Sequence, residues 1–186
     1  FRMGYYGGRG ARLMKTLGPF NGQPQPKPPI DDKRVRRCKW EPATTIRIPD
    51  DWPSGVYLGR LTTVPDQKST PYWQSYVIFI VRDDRPCDLL FQCSDLTWQA
   101  YNSWPDDRWS LYHADKFILN NAGRKKWLTG PTGWVSFDRP YANFCQEHLV
   151  KRPASVGSGE FLHWEFPLSY WMEQQGYDVS YLSNLD

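Results

Sequence analysis

Residues 95–104 read Asp-Leu-Thr-Trp-Gln-Ala-Tyr-Asn-Ser-Trp and follow directly on the apolar run Asp88-Leu-Leu-Phe-Gln-Cys93. A phenol (Tyr101), a carboxamide (Asn102), hydroxyls (Thr97, Ser103) and indoles (Trp98, Trp104) are thus crowded behind what reads as a short buried strand. In open α/β sheets ligands bind beyond the carboxyl ends of the strands, at the point where the connections diverge. Thr97, Tyr101 and Asn102 are therefore candidates for a polar site walled by Trp98 and Trp104. The competing reading is an Asn/Ser-rich helix cap whose tryptophans plug the base of the sheet.

Other chemistry has weaker support. The run Gly4-Tyr-Tyr-Gly-Gly-Arg-Gly lacks dinucleotide-fingerprint spacing and does not follow a strand, so its glycines read as tight turns. A serine nucleophile would need a Gly-x-Ser-x-Gly elbow, and Gly157-Ser-Gly159 is a loop. Cys93 ends a strand, as a nucleophile on an elbow would, but no Gly-x-Cys-x-Gly surrounds it. His113, His148 and His163 are scattered, and Cys38, Cys87, Cys93 and Cys145 have neither zinc-ligand nor redox-motif spacing.

Two kinds of element must position these residues. Up to about residue 84 the chain reads as β structure: a period-two alternation over Thr44–Ile48, then Gly55-Val-Tyr-Leu-Gly-Arg-Leu61, then the apolar run Tyr76-Val-Ile-Phe-Ile-Val-Arg82. Short strands separated by turn signals predict a β-sandwich over 1–84. From about residue 85 the pattern changes to α/β. A strand at 88–93 and another at 177–182 bracket a helix carrying Phe161, Trp164, Leu168, Trp171 and Met172, with Pro167 in its first turn or at a kink and Gly176 at its end. Strand, helix, glycine and strand make a crossover unit, which implies parallel pairing. The fold class is thus an α+β chain in two parts, 1–84 and 85–186. Two parallel strands cannot complete a doubly wound sheet, so the chain is expected to be a piece of a longer protein.

Composition narrows the function. Ten Trp, eleven Tyr and nine Phe in 186 residues suit an aromatic core or recognition clefts. No run of roughly 18 apolar residues suggests a membrane span, so the chain reads as soluble. The net charge of +3 and the short basic runs Lys33–Arg37 and Arg124–Lys126 do not make a nucleic-acid surface.

Taken in order, Gly4-Tyr-Tyr-Gly-Gly-Arg-Gly-Ala-Arg, Trp52-Pro-Ser-Gly-Val-Tyr-Leu, Phe79-Ile-Val-Arg, Thr97-Trp-Gln-Ala-Tyr-Asn-Ser-Trp, Ser110-Leu-Tyr, Val135-Ser-Phe-Asp-Arg-Pro and Gly176-Tyr-Asp-Val-Ser-Tyr resemble the large (beta) subunit of N,N-dimethylformamidase and its relatives over essentially the whole chain. The resemblance implies a β-sandwich joined to an amidotransferase-like α/β domain. It also implies a mononuclear iron held by two tyrosine oxygens and a glutamate, hydrolysing a small amide, with a small accessory subunit or further copies of the chain as partners. Tyr101 best matches the first tyrosine; Tyr57 is the choice for the second, with Tyr112 its rival. The glutamate belongs to a motif expected beyond Asp186, so the 186-residue chain alone is not expected to hydrolyse amides. Asn102 and Thr97 would act on the substrate, and Trp98 and Trp104 would exclude water. From a different class, the alternative is a non-catalytic module binding a glycan or a protein on a degenerate α/β scaffold.

Overall fold

The computed structural model describes residues 1–31, 35–64, 73–105, 110–111, 134–142 and 156–186. Strands β1 (Arg2–Met3), β2 (Ala11–Arg12), β3 (Gly55–Thr62) and β4 (Gln74–Val81) form a four-stranded antiparallel sheet in the order β2-β1-β3-β4. The glycine-rich run after Met3 lets β1 turn back onto β2, pairing Met3 with Ala11. β3 and β4 pair from Gly55↔Val81 to Thr62↔Gln74. Successive side chains of β3 point to opposite faces, yet Val56, Tyr57 and Leu58 are only 1%, 1% and 3% exposed. This half of the strand is therefore covered on both sides.

The alternation at Thr44–Ile48 does not form a strand. Those residues are irregular and Ile46 is exposed. Pro42 and Pro49 flank the run, and a proline removes the donor that a ladder would need at each end. Among the described residues no second antiparallel sheet faces the first.

β5 (Leu89–Gln92) and β6 (Val179–Leu182) pair in parallel, Leu89↔Val179 through Gln92↔Leu182, as the crossover requires. Between them lie α1 (Asp95–Tyr101), a π-helical turn (Phe161–Glu165) and α2 (Phe166–Gln174), with Pro167 in the first turn of α2. Gly176 ends α2 at φ 86, a conformation that costs a residue with a Cβ. The amides of Gly176 and Tyr177 then return to the carbonyls of Glu173 and Met172, the paired bonds of a Schellman stop.

The expected apolar face of this helical segment divides. Phe161 and Met172 are buried, whereas Trp164, Leu168 and Trp171 are exposed. The π-turn, closed by the Phe166 amide on the Phe161 carbonyl, is wider than an α-turn and shifts the phase of everything before residue 166.

One apolar cluster joins both sheets. Val56 packs with Cys93, Trp98, Phe161, Met172, Val179 and Tyr181, and Met3, Ile78 and Ile80 of the antiparallel sheet lie against it. Full burial of side chains this size is worth about 1.5–3 kcal/mol each. Polar bonds close the same seam. Ser54 Oγ accepts from the Tyr181 amide at 2.8 Å and from the Ser180 hydroxyl at 3.2 Å. The Arg2 guanidinium reaches Glu173 of α2 at 2.9 Å and the Ser54 carbonyl at 2.9 Å. Among the described residues, no helix is long and apolar enough to cross a membrane.

Candidate functional site at the carboxyl end of the parallel strands

α1 begins where β5 ends, so its seven residues stand over the carboxyl edge of the parallel pair. Ser94 occupies its N-cap but makes no capping bond with its own side chain. Glu165 caps the helix instead: its Oε1 accepts from the Ser94 amide at 3.1 Å and from the Trp98 indole N–H at 2.9 Å. A carboxylate here also meets the positive end of the helix dipole. Asp95 ties the same turn to the end of β6 by accepting from the Asn184 amide at 2.8 Å and from the Ser183 hydroxyl.

The far end of α1 is held by Asn102, which is wholly buried. Its Nδ2 donates to Gln99 Oε1 at 3.1 Å and to the Pro140 carbonyl at 3.0 Å. Its Oδ1 accepts from the amides of Trp104 at 3.1 Å and Ala142 at 3.0 Å. A carboxamide has two donors and two acceptor positions, and the fold uses all of them. Arg139, also buried, continues the clasp by donating to the Gln99 side chain and to the carbonyls of Gln99, Ser136 and Trp104. Asn102→Ala is expected to destabilise the protein by about 2–4 kcal/mol, since it removes four hydrogen bonds of a buried side chain and leaves the part-buried amides of Trp104 and Ala142 without their acceptor. Urea unfolding measures this, and a cost below about 0.5 kcal/mol would mean that the clasp is absent in solution.

The sequence candidates fall in unlike surroundings. Thr97 lies on the exposed side of α1, and Trp98 points inward against Phe161 and Tyr141. The loop backbone passes close beneath Trp98: a Cβ on Gly159, at φ 59, would sit 2.8 Å from its ring. Tyr101 is half-buried at the last residue of α1, and Trp104 meets Trp40 edge to face at 5.8 Å. Trp98, Tyr101, Asn102 and Trp104 thus share one helix and the loop after it. Tyr57 lies on β3 instead, its ring stacked between Trp52 at 5.0 Å and Phe79 at 5.3 Å. Its hydroxyl donates to the Pro53 carbonyl at 2.7 Å, and burial pushes its pKa up to about 12. Tyr112, His113, Cys145 and His148 lie outside the described residues.

The sequence reading overlooked an acidic group behind α1. Glu160 is 7% exposed, and burial, followed by repulsion from Glu165, pushes its carboxyl up to about 7. Glu165 is also raised, by burial first, and its Oε2 is buried without a hydrogen-bond partner among the described residues. Burial, reinforced by Glu165 and Asp95, pushes the Cys93 thiol up as well. A strand-end nucleophile needs a thiolate, and these surroundings disfavour one. The signal in the sequence was Glu160-Phe-Leu-His-Trp-Glu165, two acids flanking a mostly apolar stretch. Among the described residues, no group of three or more His, Cys, Asp or Glu side chains is arranged to hold a metal ion.

An antiparallel sheet packed on a parallel strand–helix–strand unit, with a polar helix at the strand ends, defines a protein of mixed α and β structure. The family model for N,N-dimethylformamidase beta subunit-like proteins, C-terminal, matches residues 1–186, and the chain belongs to that family. No curated protein and no solved structure matches it.

Proposed function

We propose that this chain belongs to a hydrolase that cleaves the C–N bond of a small linear amide, releasing amine and carboxylate. The observation that carries the reading is membership of the N,N-dimethylformamidase beta subunit-like family over residues 1–186. The position of α1 supports it, because the helix starts at the carboxyl end of β5, the side of an α/β sheet on which ligands bind. In this reading the antiparallel sheet is one layer of a β-sandwich, and the unit from β5 to β6 opens an amidotransferase-like α/β domain. A small accessory subunit or further copies of the chain are the expected partners; the family description itself refers to a beta subunit.

Iron is the proposed metal, with Tyr101 as one phenolate donor. Tyr57 is the weaker choice for the second place, because without a metal its hydroxyl donates to the Pro53 carbonyl and burial raises its pKa to about 12. Tyr112 is therefore the preferred second donor. Bound iron would polarise the amide carbonyl and acidify a water. The residues around α1 serve that place by position. Asn102 fixes the backbone after Tyr101, Trp98 fills the space beneath the helix, and Trp104 covers the loop.

Metal analysis of the intact protein tests the reading. Stoichiometric iron, a phenolate-to-iron absorption band and release of amine from a formamide are the expected results. Colourless, metal-free protein without hydrolysis would instead favour a binding module.

A further inference from the structure

We infer that Glu165 is a positioning residue for the Tyr101 site, and that its hold on α1 is governed by the proton carried by Glu160. This rests on the amidase reading only in naming what is positioned. The geometry stands by itself. One oxygen of Glu165 takes both the Ser94 amide and the Trp98 indole, so a single side chain fixes the start of α1 and the ring that fills the space under it. α1 has only seven residues, and a tilt at Ser94 is carried directly to Tyr101.

The other oxygen of Glu165 is buried and has no hydrogen-bond partner among the described residues. Glu160 stands at the opposite end of the same π-turn, itself buried, and Glu165 repels it as a like charge, a repulsion that is mutual. Among the described residues, the other titratable groups that meet the pair are the Cys93 thiol at the end of β5 and the Asp95 carboxylate of α1. Two buried carboxylates cannot both ionise without cost. While Glu160 keeps its proton, Glu165 is spared that repulsion and its Oε1 takes both donors. When Glu160 loses that proton, the repulsion falls on Glu165 and is relieved by loosening the turn or by protonating Glu165. Either change weakens the acceptor on which α1 depends. The raised carboxyl of Glu160, about 7, sets the change near neutrality.

Hydrogen exchange of the intact protein, read on the peptide covering residues 94–101 and corrected for the intrinsic pH dependence of exchange, tests this. The wild type is expected to lose protection there on the order of tenfold as pH rises from 6 to 8, a change of about one hydrogen bond's worth of stability. Glu160→Gln is expected to keep the protection flat, and Glu165→Ala to lose it at every pH. Glu165→Gln, which keeps an acceptor oxygen, is expected to restore most of it. Amide turnover should follow the same pattern in kcat, with iron content unchanged. Protection of 94–101 that is the same in wild type, Glu160→Gln and Glu165→Ala overturns the inference, whether or not the protein hydrolyses amides. Absence of iron and hydrolysis with the exchange pattern intact overturns only the amidase reading.

Discussion

On the proposed iron site, Tyr101→Phe is expected to remove iron and amide turnover together while leaving the fold in place. The substitution deletes one oxygen and keeps the ring, so packing at the end of α1 is preserved and the stability change should stay within about 1 kcal/mol. Losing an anionic donor removes charge neutralisation and geometry at once. Its effect on iron affinity should exceed the roughly 10–100-fold that loss of a supporting hydrogen bond costs a metal site. Tyr57→Phe is the informative contrast. Its hydroxyl donates to the Pro53 carbonyl, so the change should cost about 1 kcal/mol and keep the iron. Iron content and turnover are measured side by side in Tyr101→Phe, Tyr57→Phe and Tyr112→Phe. Full iron in Tyr101→Phe would sink the assignment; loss in Tyr57→Phe with retention in Tyr112→Phe would move the second donor to β3.

Glu173→Ala should produce the largest loss of stability, about 3–5 kcal/mol by urea unfolding, because it leaves a buried guanidinium without its counter-charge. The Arg2 and Glu173 side chains are 9% and 15% exposed and lie 2.9 Å apart. The carboxylate also accepts from the Tyr181 hydroxyl at 2.9 Å and from the Tyr5 amide at 2.9 Å. Removal of Glu173 therefore strands donors on β1, on the turn after it and on β6. The double change Arg2→Met with Glu173→Leu should recover much of the loss, since a buried pair is often no better than well-packed apolar side chains. A single substitution costing less than about 1 kcal/mol would show that the pair is solvated.

What the sequence conveyed was local and periodic. The parallel pair was legible because Leu89–Gln92 and Val179–Leu182 are short apolar runs and Gly176 marks where a helix must stop. β3 and β4 were legible for the same reason. The run at Thr44–Ile48 shows the limit: it has the period of a strand, but pairing depends on a neighbour and on donors that the flanking prolines lack. At the site, the grouping of Trp98, Tyr101, Asn102 and Trp104 followed from their nearness in the chain. The roles did not, because Asn102 spends its amide on Pro140 and Ala142, some forty residues on. Glu165 was invisible for a related reason: its donors, Ser94 and Trp98, are 71 and 67 residues away, and no short motif encodes such a distance.

The seam between the sheets also has a bearing on the order in which the molecule can be made. Ser54 meets Tyr181 across 127 positions, and Arg2 meets Glu173 across 171. Contacts of that span close late, after the entropy of a long loop has been lost. On a ribosome the antiparallel sheet emerges first, with Val56, Ile78 and Ile80 turned toward a surface that β6 has yet to supply. Between the emergence of β4 and that of β6 the nascent chain therefore carries an unquenched apolar face, and holding that face apart from other chains falls to the cell until residues 179–182 arrive.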